Sequence, residues 1–224
     1  MRRVQLGETV MSDLVFWGAT GQARVLQEAI KDTDHRLIAI FDNRIIPSPF
    51  ADVPIFIGEA GFEAWAASHW KLSEVKACVA IGGRHGDQRL EIQDWLSKRG
   101  VLPITIVHRT AFVASDSTIG VGSQILAMSA ICANTLIGRS VIINTAASVD
   151  HCCIIGDGSH IGPGARLAGE VVLGSNVFIG VGAVVLPHIK IGAGAIVGAG
   201  TVVTKDVLPG DVVLGNPART KQTI

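Results

Sequence analysis

The chain has 224 residues, which is long enough for two modest domains that each bury a hydrophobic core. Its 19 basic residues balance 19 acidic ones, and this neutrality excludes binding to nucleic acid through bulk charge. No apolar segment approaches the ~20 residues of a membrane span, and the four cysteines lack the spacing of a disulfide framework or a metal motif, so we expect a reducing, cytoplasmic location.

The N-terminal segment MRRVQLGETVMSDLVFWG has two arginines but no long apolar stretch, so we do not interpret it as a signal peptide. We expect residues 1–12 to form a flexible leader, with Met11 as an alternative start.

Residues 13–108 are predicted to form an α/β domain, because strand-like and helix-like segments alternate there. DLVFWG is a short apolar strand, and GQARVLQEAIKD is a helix whose buried face is predicted to hold Val25, Leu26, Ala29 and Ile30. The remaining predicted strands are RLIAIFDN, VPIFIG, KACVAIGG and PITIVH, and the remaining helices are EAGFEAWAASHW and DQRLEIQDWLSKRG, the last closed by Gly100. This alternation predicts a small parallel sheet covered by helices.

Parallel sheets of this kind bind ligands at the carboxyl ends of their strands. Three predicted strands end in small or polar residues: residues 18–22, Asp42 with Asn43, and Gly82 with Gly83. The Gly18-Ala-Thr-Gly21 turn lacks the third glycine of a dinucleotide fingerprint, so it is either a phosphate site at a helix N-terminus or only a tight connection. Asp42 suits a ribose or sugar hydroxyl.

A six-residue repeat occupies the second half of the chain. Every sixth residue from Val113 to Val203 is Val, Ile or Leu, and the residue two positions earlier is mostly small. A period of six is typical of a parallel β-helix, with three hexads in each coil of eighteen residues. Glycine often follows the aliphatic residue, as at Gly120 and Gly156, and we expect it to permit the bend between faces. We predict the β-helix over residues 109–207 and a capping tail over 208–224.

Several segments together carry a resemblance to a known family. They are VFWGATGQARVL, IFDN and VAIGGRHGDQRLEI in the first half, and INTAASVDHCCIIGDGSHIGPGARLAG, VFIGVGAVVLPHIKIG and VVTKDVLPGDVVLGNPAR in the second. From Leu14 to Arg219 the chain resembles the sugar acyltransferases of the NeuD and PglD type. The resemblance implies a Rossmann-like α/β domain that binds a nucleotide-linked sugar, followed by a left-handed parallel β-helix that binds acetyl-CoA. It also implies a homotrimer with active sites between subunits.

His151 follows the repeat residue Val149 by two positions, which predicts an outward side chain at a turn. The position alone fits either a surface histidine or a general base with a pKa near neutrality. The resemblance implies that His151 is the base that deprotonates the attacking amine or hydroxyl.

The family commonly has Glu or Asp after this histidine, but here the residue is Cys152. Glu170, eighteen residues beyond Cys152 and so one coil away, and Asp150 are the candidates to orient His151; the alternative is a base without a carboxylate partner. A nucleophilic Cys152 activated by His151 is rival chemistry, although neighbours at a turn need not aim at each other.

His160 is predicted to project from a flat face, and the resemblance implies that it contacts acetyl-CoA. Val181 and Ala199 match further cofactor positions, and Lys205 in the tail region can meet CoA phosphates. Small residues at coil corners and a tail that only caps the solenoid are the simpler interpretations. His188, together with His151 and His160, raises a zinc site of the carbonic anhydrase type, but the chain lacks the close histidine pair and we expect no metal.

On the substrate side the resemblance implies that six residues hold the sugar nucleotide, namely Thr20, Gly21, Gln22, Asp42, Asn43 and Gly82. Gln22 stands where the family often has His, and an amide cannot carry its charge. Arg89 either reaches a phosphate or is a cation on a helix surface. The predicted activity is acetyl-CoA-dependent N-acetylation of a nucleotide-linked amino sugar. The alternatives are O-acetylation of a sugar hydroxyl and a binding module that has lost catalysis.

Overall fold

The computed structural model describes residues 11–69 and 71–221, so the predicted leader lies almost wholly outside the described residues. The first half is the predicted α/β domain. Its parallel sheet has the order β3-β2-β1-β4-β5. The elements are β1 (Ser12–Trp17), α1 (Gly21–Ala29), β2 (His35–Asp42), β3 (Ile55–Ile57), α2 (Gly58–Ala67), a 3₁₀ turn (Leu72–Glu74), β4 (Lys76–Val79), α3 (Gly86–Lys98) and β5 (Leu102–Pro103).

Two details differ from the predicted elements. Val25 is 39% exposed, whereas Leu26, Ala29 and Ile30 are buried as predicted, so the apolar face of α1 is narrower than the pattern indicated. The last predicted strand, PITIVH, is split: β5 ends at Pro103, and Ile106–Val107 already pairs with Gln124–Ile125 of the second half. The β-helix therefore begins a little before residue 109.

The second half is a three-sided prism, and each face is a sheet of short strands that pair in parallel, apart from the last strand of one face. The domain face, on which the α/β domain packs, contains β6 (Ile106–Val107), β9 (Gln124–Ile125), β12 (Ile142–Ile143), β15 (His160–Ile161), β18 (Phe178–Ile179), β21 (Ile196–Val197), β23 (Val212–Leu214) and β24 (Arg219–Thr220). The second face contains β7 (Phe112–Val113), β10 (Ala130–Ile131), β13 (Ser148–Val149), β16 (Arg166–Leu167), β19 (Val184–Val185) and β22 (Val202–Val203). The third contains β8 (Thr118–Ile119), β11 (Leu136–Ile137), β14 (Ile154–Ile155), β17 (Val172–Leu173) and β20 (Lys190–Ile191).

The register of these faces confirms the predicted coil of eighteen residues. Val149 pairs with Leu167, and Ile137 pairs with Ile155, so each strand lies on the strand three hexads away. From Ile125 onward every repeat aliphatic is at most 4% exposed, because these side chains fill the interior of the prism. The fold is the predicted left-handed parallel β-helix behind an α/β domain.

The bends between faces depend on a different position from the one we predicted. Every sixth residue from Gly122 to Gly200 has a positive φ, and eight of these residues carry side chains, including Cys152 at 57°. The glycines that follow the aliphatic residues are not at these positions. They are required for close approach instead: a Cβ on Gly120 would lie 2.5 Å from the carbonyl carbon of Gly138. The bend prediction for these glycines is therefore wrong.

The α/β domain packs on the first coils of the domain face. Ile106, Leu126 and Ile142 share a buried apolar cluster with Leu14 and Leu26. This contact places the carboxyl ends of β1, β2 and β4 beside the β-helix.

Arg89 of α3 joins the domain to the edge between the third face and the domain face, which we call the Arg89 edge. Its side chain is fully buried and donates hydrogen bonds to the carbonyls of Ser140 (3.0 Å), Gly158 (2.6 Å) and Ile81 (3.2 Å). Burial lowers the pKa of the guanidinium to about 10. Both predicted roles for Arg89 are therefore wrong, because α3 turns this side chain toward the β-helix.

The C-terminal segment extends the domain face. β23 pairs parallel with β21, and β24 returns antiparallel to β23. Within the part of the chain that the structure describes, no helix combines the length and the apolarity needed to cross a membrane.

Candidate active site

A cavity of about 560 Å³ lies at the carboxyl ends of β1, β2 and β4. The sheet order reverses here, since β2 lies on one side of β1 and β4 on the other. The crevice at such a reversal is where open α/β sheets bind ligands. All six predicted substrate residues line this cavity: Thr20, Gly21, Gln22, Asp42, Asn43 and Gly82.

The glycine turn shapes the floor of the cavity. Gly18 has a φ of 113°, and a Cβ on it would lie 2.3 Å from the carbonyl oxygen of Ala80, so glycine is required there. The turn leads into α1, and its N-cap residue Thr20 makes no side-chain capping bond. Among the described residues, the N–H groups of Gly21, Gln22 and Ala23 have no acceptor. A helix N-terminus with free donors is suited to an anion such as a phosphate.

Asp42 closes one wall of the cavity and is already engaged within the chain. Its carboxylate accepts the N–H of Ala19 at 2.9 Å and three hydrogen bonds from Arg44. Burial raises the pKa of Asp42, but the bonds from Arg44 and Ala19 outweigh burial and the net pKa is lowered. Arg44 was not among the predicted residues. It is held at the cavity by Asp42 and leaves an exposed cation beside it.

Gln22 connects the cavity to the β-helix. Its Nε2 donates to Oε1 of Gln124 at 2.6 Å, and Nε2 of the buried Gln124 donates to the carbonyl of Val79 at 2.7 Å. One of the two N–H groups of the Gln22 amide is thus used at the domain contact, and a Cβ on Gly82 would lie 3.3 Å from Oε1 of Gln22. No local sequence pattern indicated this Gln22–Gln124 pair.

His160 lies under the α/β domain and is only 6% exposed. Its Nδ1 lies 3.0 Å from the carbonyl of Gly83, which can only accept, so Nδ1 carries the proton; Nε2 then accepts from Nδ2 of Asn144 at 3.0 Å. Burial lowers the pKa of His160 to about 4, although the bond to Gly83 opposes the shift. His160 lies on the flat domain face and points away from the prism interior, as predicted, and the loop after β4 (residues 80–85, here called the Gly83 loop) covers it. Its contact with acetyl-CoA stays a prediction.

His151 lies at a turn between β13 and β14, on the edge that joins the second and third faces, here called the His151 edge. The side chain is exposed, and no hydrogen bond within the described residues reaches either ring nitrogen. Asp150 accepts the backbone N–H of His151 at 2.8 Å rather than the ring. Its carboxylate also acts on the neighbouring Cys132 thiol, whose pKa is raised by burial and then by Asp150.

Glu170 and His188 occupy the next two coils of this edge, in the column of Cys152. The backbone N–H of Glu170 donates to the carbonyl of His151 at 2.9 Å. Its carboxylate, however, lies 3.3 Å from Nδ1 of His188. The exposed Cys152 has no hydrogen bond from its thiol among the described residues. The structure thus brings His151, Cys152 and Glu170 to one edge without joining the His151 ring to a carboxylate.

The other predicted cofactor residues lie on two edges. Val181 and Ala199 occupy the same turn position one coil apart, on the edge between the domain face and the second face, which we call the Val181 edge. Their backbone N–H groups donate to no acceptor in the described part of the chain. Lys205 lies on the His151 edge, in the column of His151 and three coils beyond it. The predicted cofactor residues on these edges therefore flank the second face from both sides.

His151 and the substrate cavity also lie on different sides of the prism. The α/β domain covers the domain face, and the His151 edge is the prism edge opposite that face.

Besides Arg44, the cavity contains Trp17, Ile81, His85 and Gln88, which the sequence interpretation missed. His85 and Gln88 lie in the VAIGGRHGDQRLEI segment. Their position soon after the end of a predicted strand could have identified them as cavity residues. Within residues 11–69 and 71–221 no three His, Cys, Asp or Glu side chains gather at a metal-binding distance.

Comparison with known proteins gives two kinds of similarity. The family model described as bacterial transferase hexapeptide (six repeats) matches residues 134–169 and 170–205. These matches cover the central coils, including the His151 edge.

Solved structures match nearly the whole chain. PerB from Caulobacter crescentus, solved in complex with CoA and GDP-perosamine, is 32% identical over 94% of this chain and 97% of its own, with a TM-score of 0.85. A perosamine N-acetyltransferase from the same organism, solved with one histidine replaced by asparagine, is 31% identical over the same shares, with a TM-score of 0.87. The acetyltransferase domain of PglB from Neisseria gonorrhoeae, in complex with acetyl coenzyme A, is 28% identical over 94% of this chain and 100% of its own, with a TM-score of 0.85.

Proposed function

The chain belongs to the hexapeptide-repeat sugar acyltransferases, and we propose that it N-acetylates the amino group of a nucleotide-linked sugar, with acetyl-CoA as donor and His151 as general base. One observation carries the proposal: an exposed histidine with both ring nitrogens unbonded in the described chain lies on a repeat edge whose column continues to Lys205. The perosamine N-acetyltransferase whose histidine was replaced supports the choice of reaction.

The cavity in the α/β domain is the proposed nucleotide-sugar site. Its volume of about 560 Å³ lies within the range of small-molecule sites, ~300–1,000 Å³. The free N–H groups of Gly21 and Gln22 and the cation of Arg44 are donors for a diphosphate. Because Asp42 is engaged by Ala19 and Arg44, we propose that it acts by holding Arg44 at the cavity, and that Asn43 and Gly82 contact the ligand.

The β-helix edges fit the CoA arm. The N–H groups of Val181 and Ala199 are one coil apart, roughly 4.8 Å, which suits the carbonyls of a pantetheine chain. Lys205 is exposed and can meet a phosphate. His160 keeps both ring nitrogens bonded within the chain, so we propose that it sets the position of the Gly83 loop beside the cofactor and does not transfer protons.

Bound acetyl-CoA would supply an acetyl thioester: the C–S bond breaks as the sugar nitrogen forms a C–N bond, CoA leaves as its thiolate, and the proton lost by the nitrogen passes by way of His151 to that sulfur. The chain supplies the base: His151 takes the proton that the amine loses, and an imidazole is matched to this task at neutral pH. The exposed position of His151 leaves its ring accessible to a substrate brought from outside its own chain.

A second copy must complete the active site, because the cavity and His151 lie on opposite sides of one prism. The His151 edge and the Val181 edge bound the same second face. If the His151 edge of one copy meets the Val181 edge of the next, the contact is head-to-tail, and a three-fold rotation between copies closes it into a ring. We propose the trimer that the resemblance implies, with the base of one subunit facing the substrate of its neighbour.

The experiment measures CoA release with a panel of UDP-, GDP- and dTDP-linked 4-amino sugars and their 4-hydroxy counterparts. We expect turnover with at least one amino sugar. His151→Ala is expected to lower kcat/KM by about 10³-fold, within the usual contribution of a general base. His188→Gln is the matched control, because it changes a second exposed histidine on the same edge.

Each other outcome would contradict the proposal in a defined way. Turnover of the 4-hydroxy sugars alone would make the enzyme an O-acetyltransferase. CoA binding without turnover on any sugar would indicate a binding module. Full activity of His151→Ala would remove His151 from the reaction and direct attention to His85, which lines the cavity of the same chain.

A further inference from the structure

We infer that Gly169 positions the base: its bare backbone, here called the seat, is the surface on which the His151 imidazole packs. This inference rests on the proposed function of His151. Gly169 lies one coil beyond His151 in the same column of the His151 edge. A Cβ built on Gly169 would lie 2.5 Å from both Cε1 and Nε2 of His151, and 3.2 Å from Cδ2. The ring therefore occupies the space that any side chain at 169 would need.

The turn itself does not require glycine at this position. The φ of Gly169 lies outside the left-handed region. The three atoms nearest to a Cβ built at this position all belong to the His151 ring. The same turn position elsewhere in the repeat is filled by other residues. In chain order these residues are Val121, Ala127, Ala133, Arg139, Thr145, His151, Asp157, Pro163, Gly169, Ser175, Val181, Pro187, Ala193 and Ala199.

Gly169 is the one glycine in that series, and it stands directly after the one histidine in the column. Alanine at 133 and 193 shows that the backbone of this turn accepts a methyl group. The missing side chain is therefore explained by the ring of His151 and not by the turn.

The seat also accounts for how His151 is held without a carboxylate. Glu170 pairs with His188, and Asp150 binds the backbone N–H of His151. Packing on Gly169 leaves the Cε1–Nε2 side of the ring against a bare backbone. A methyl group at 169 would displace the ring or cover that side. A misplacement of about 1 Å at a reacting group costs up to ~10²-fold in rate.

The test compares wild type, Gly169→Ala, His151→Ala and the double variant. We expect Gly169→Ala to lower kcat by about 10- to 100-fold and to move the acidic limb of its pH profile, with an unchanged Tm. In the His151→Ala background the same substitution is expected to change nothing, because no ring remains to displace. NMR of ¹³C-histidine protein supplies a readout independent of turnover: the Cε1–Hε1 signal that disappears in His151→Ala should shift in Gly169→Ala.

The outcomes separate the two proposals. If His151→Ala keeps full activity, the proposed base is wrong, whereas the NMR shift still tests the seat. If His151→Ala is inactive but Gly169→Ala keeps the wild-type rate, pH profile and histidine signal, the seat is wrong. A rate lost equally in wild-type and His151→Ala backgrounds, or a lowered Tm, would assign Gly169 a role in the fold and overturn the inference.

Discussion

The Arg89 edge and the His151 edge share one backbone conformation, but they differ in whether their polar groups form hydrogen bonds with the α/β domain. At the Arg89 edge, the carbonyls of Ser140 and Gly158 accept hydrogen bonds from the buried Arg89, and Gln93 accepts the Ser140 hydroxyl at 2.6 Å. At the His151 edge, the ring of His151 makes no hydrogen bond to the described chain. The Arg89 edge is thus bonded to the α/β domain, whereas the ring of His151 stays exposed.

A regular repeat therefore does not by itself decide where function lies. Both edges repeat every eighteen residues and bend at the same left-handed position, as at Ser140 and Cys152. What differs is whether the α/β domain covers the turn.

The largest effect on stability is expected from Arg89→Met. The variant keeps the apolar stem but leaves the carbonyls of Ser140, Gly158 and Ile81 without their donor, at ~1–3 kcal/mol for each buried group left unsatisfied. We expect the free energy of unfolding in urea to fall by at least about 3 kcal/mol. Arg24→Met, which removes an exposed arginine, is the control and should change it by less than about 0.5 kcal/mol. Equal effects of the two variants would contradict a domain contact centred on Arg89.

A pH-dependent effect is expected from His160, on the same covered side. Its pKa is lowered from 6.5 to about 4, so between these pH values the unfolded chain binds a proton that the folded chain does not. The contribution of His160 to the free energy of unfolding is complete above pH 6.5 and declines as the pH falls to 4. We expect the advantage of wild type over His160→Gln in unfolding free energy to shrink by up to about 3 kcal/mol across that window. A constant difference from pH 7 to pH 4 would show that His160 is not buried neutral.

The smallest effects are expected on the open side, at the two carboxylates that the sequence offered as partners of His151. Glu170 contacts His188, and Asp150 contacts the backbone of His151. We therefore expect Glu170→Gln and Asp150→Asn each to change kcat by less than about threefold. Steady-state rates between pH 5 and 9 provide the measurement. A tenfold loss or a displaced acidic limb in either variant would instead make that carboxylate the orienting partner.

The sequence predicted the fold well because the repeat is a local signal with one physical cause. A branched aliphatic residue every sixth position fills the prism, and the pairing of Val149 with Leu167 follows from that period alone. The grouping of Thr20, Asp42 and Gly82 in one cavity was also predictable, since carboxyl ends of parallel strands share an edge.

What the sequence did not predict depends on packing between the two halves. Nothing in the local pattern indicates that α3 turns Arg89 inward, that the Gly83 loop buries His160, or that Gln22 bonds to Gln124. The partner of Glu170 was missed for a related reason. Coil arithmetic places residues in columns, but it does not tell which of two neighbours a flexible side chain will choose.

Mixed oligomers test the proposal that the His151 edge of one subunit serves the substrate cavity of another. One parent is His151→Ala; the other is Gly21→Trp, which fills the cavity from a position whose Cβ meets nothing within 4 Å. Each parent should be inactive alone.

The two parents are unfolded together, refolded in equal amounts and assayed for CoA release. If base and cavity come from different subunits, random mixing leaves an intact pair at about a quarter of the sites, and about a quarter of wild-type activity should return. Activity no greater than the sum of the two parents, in a preparation shown to contain mixed oligomers, would contradict the account, because base and cavity would then belong to the same chain.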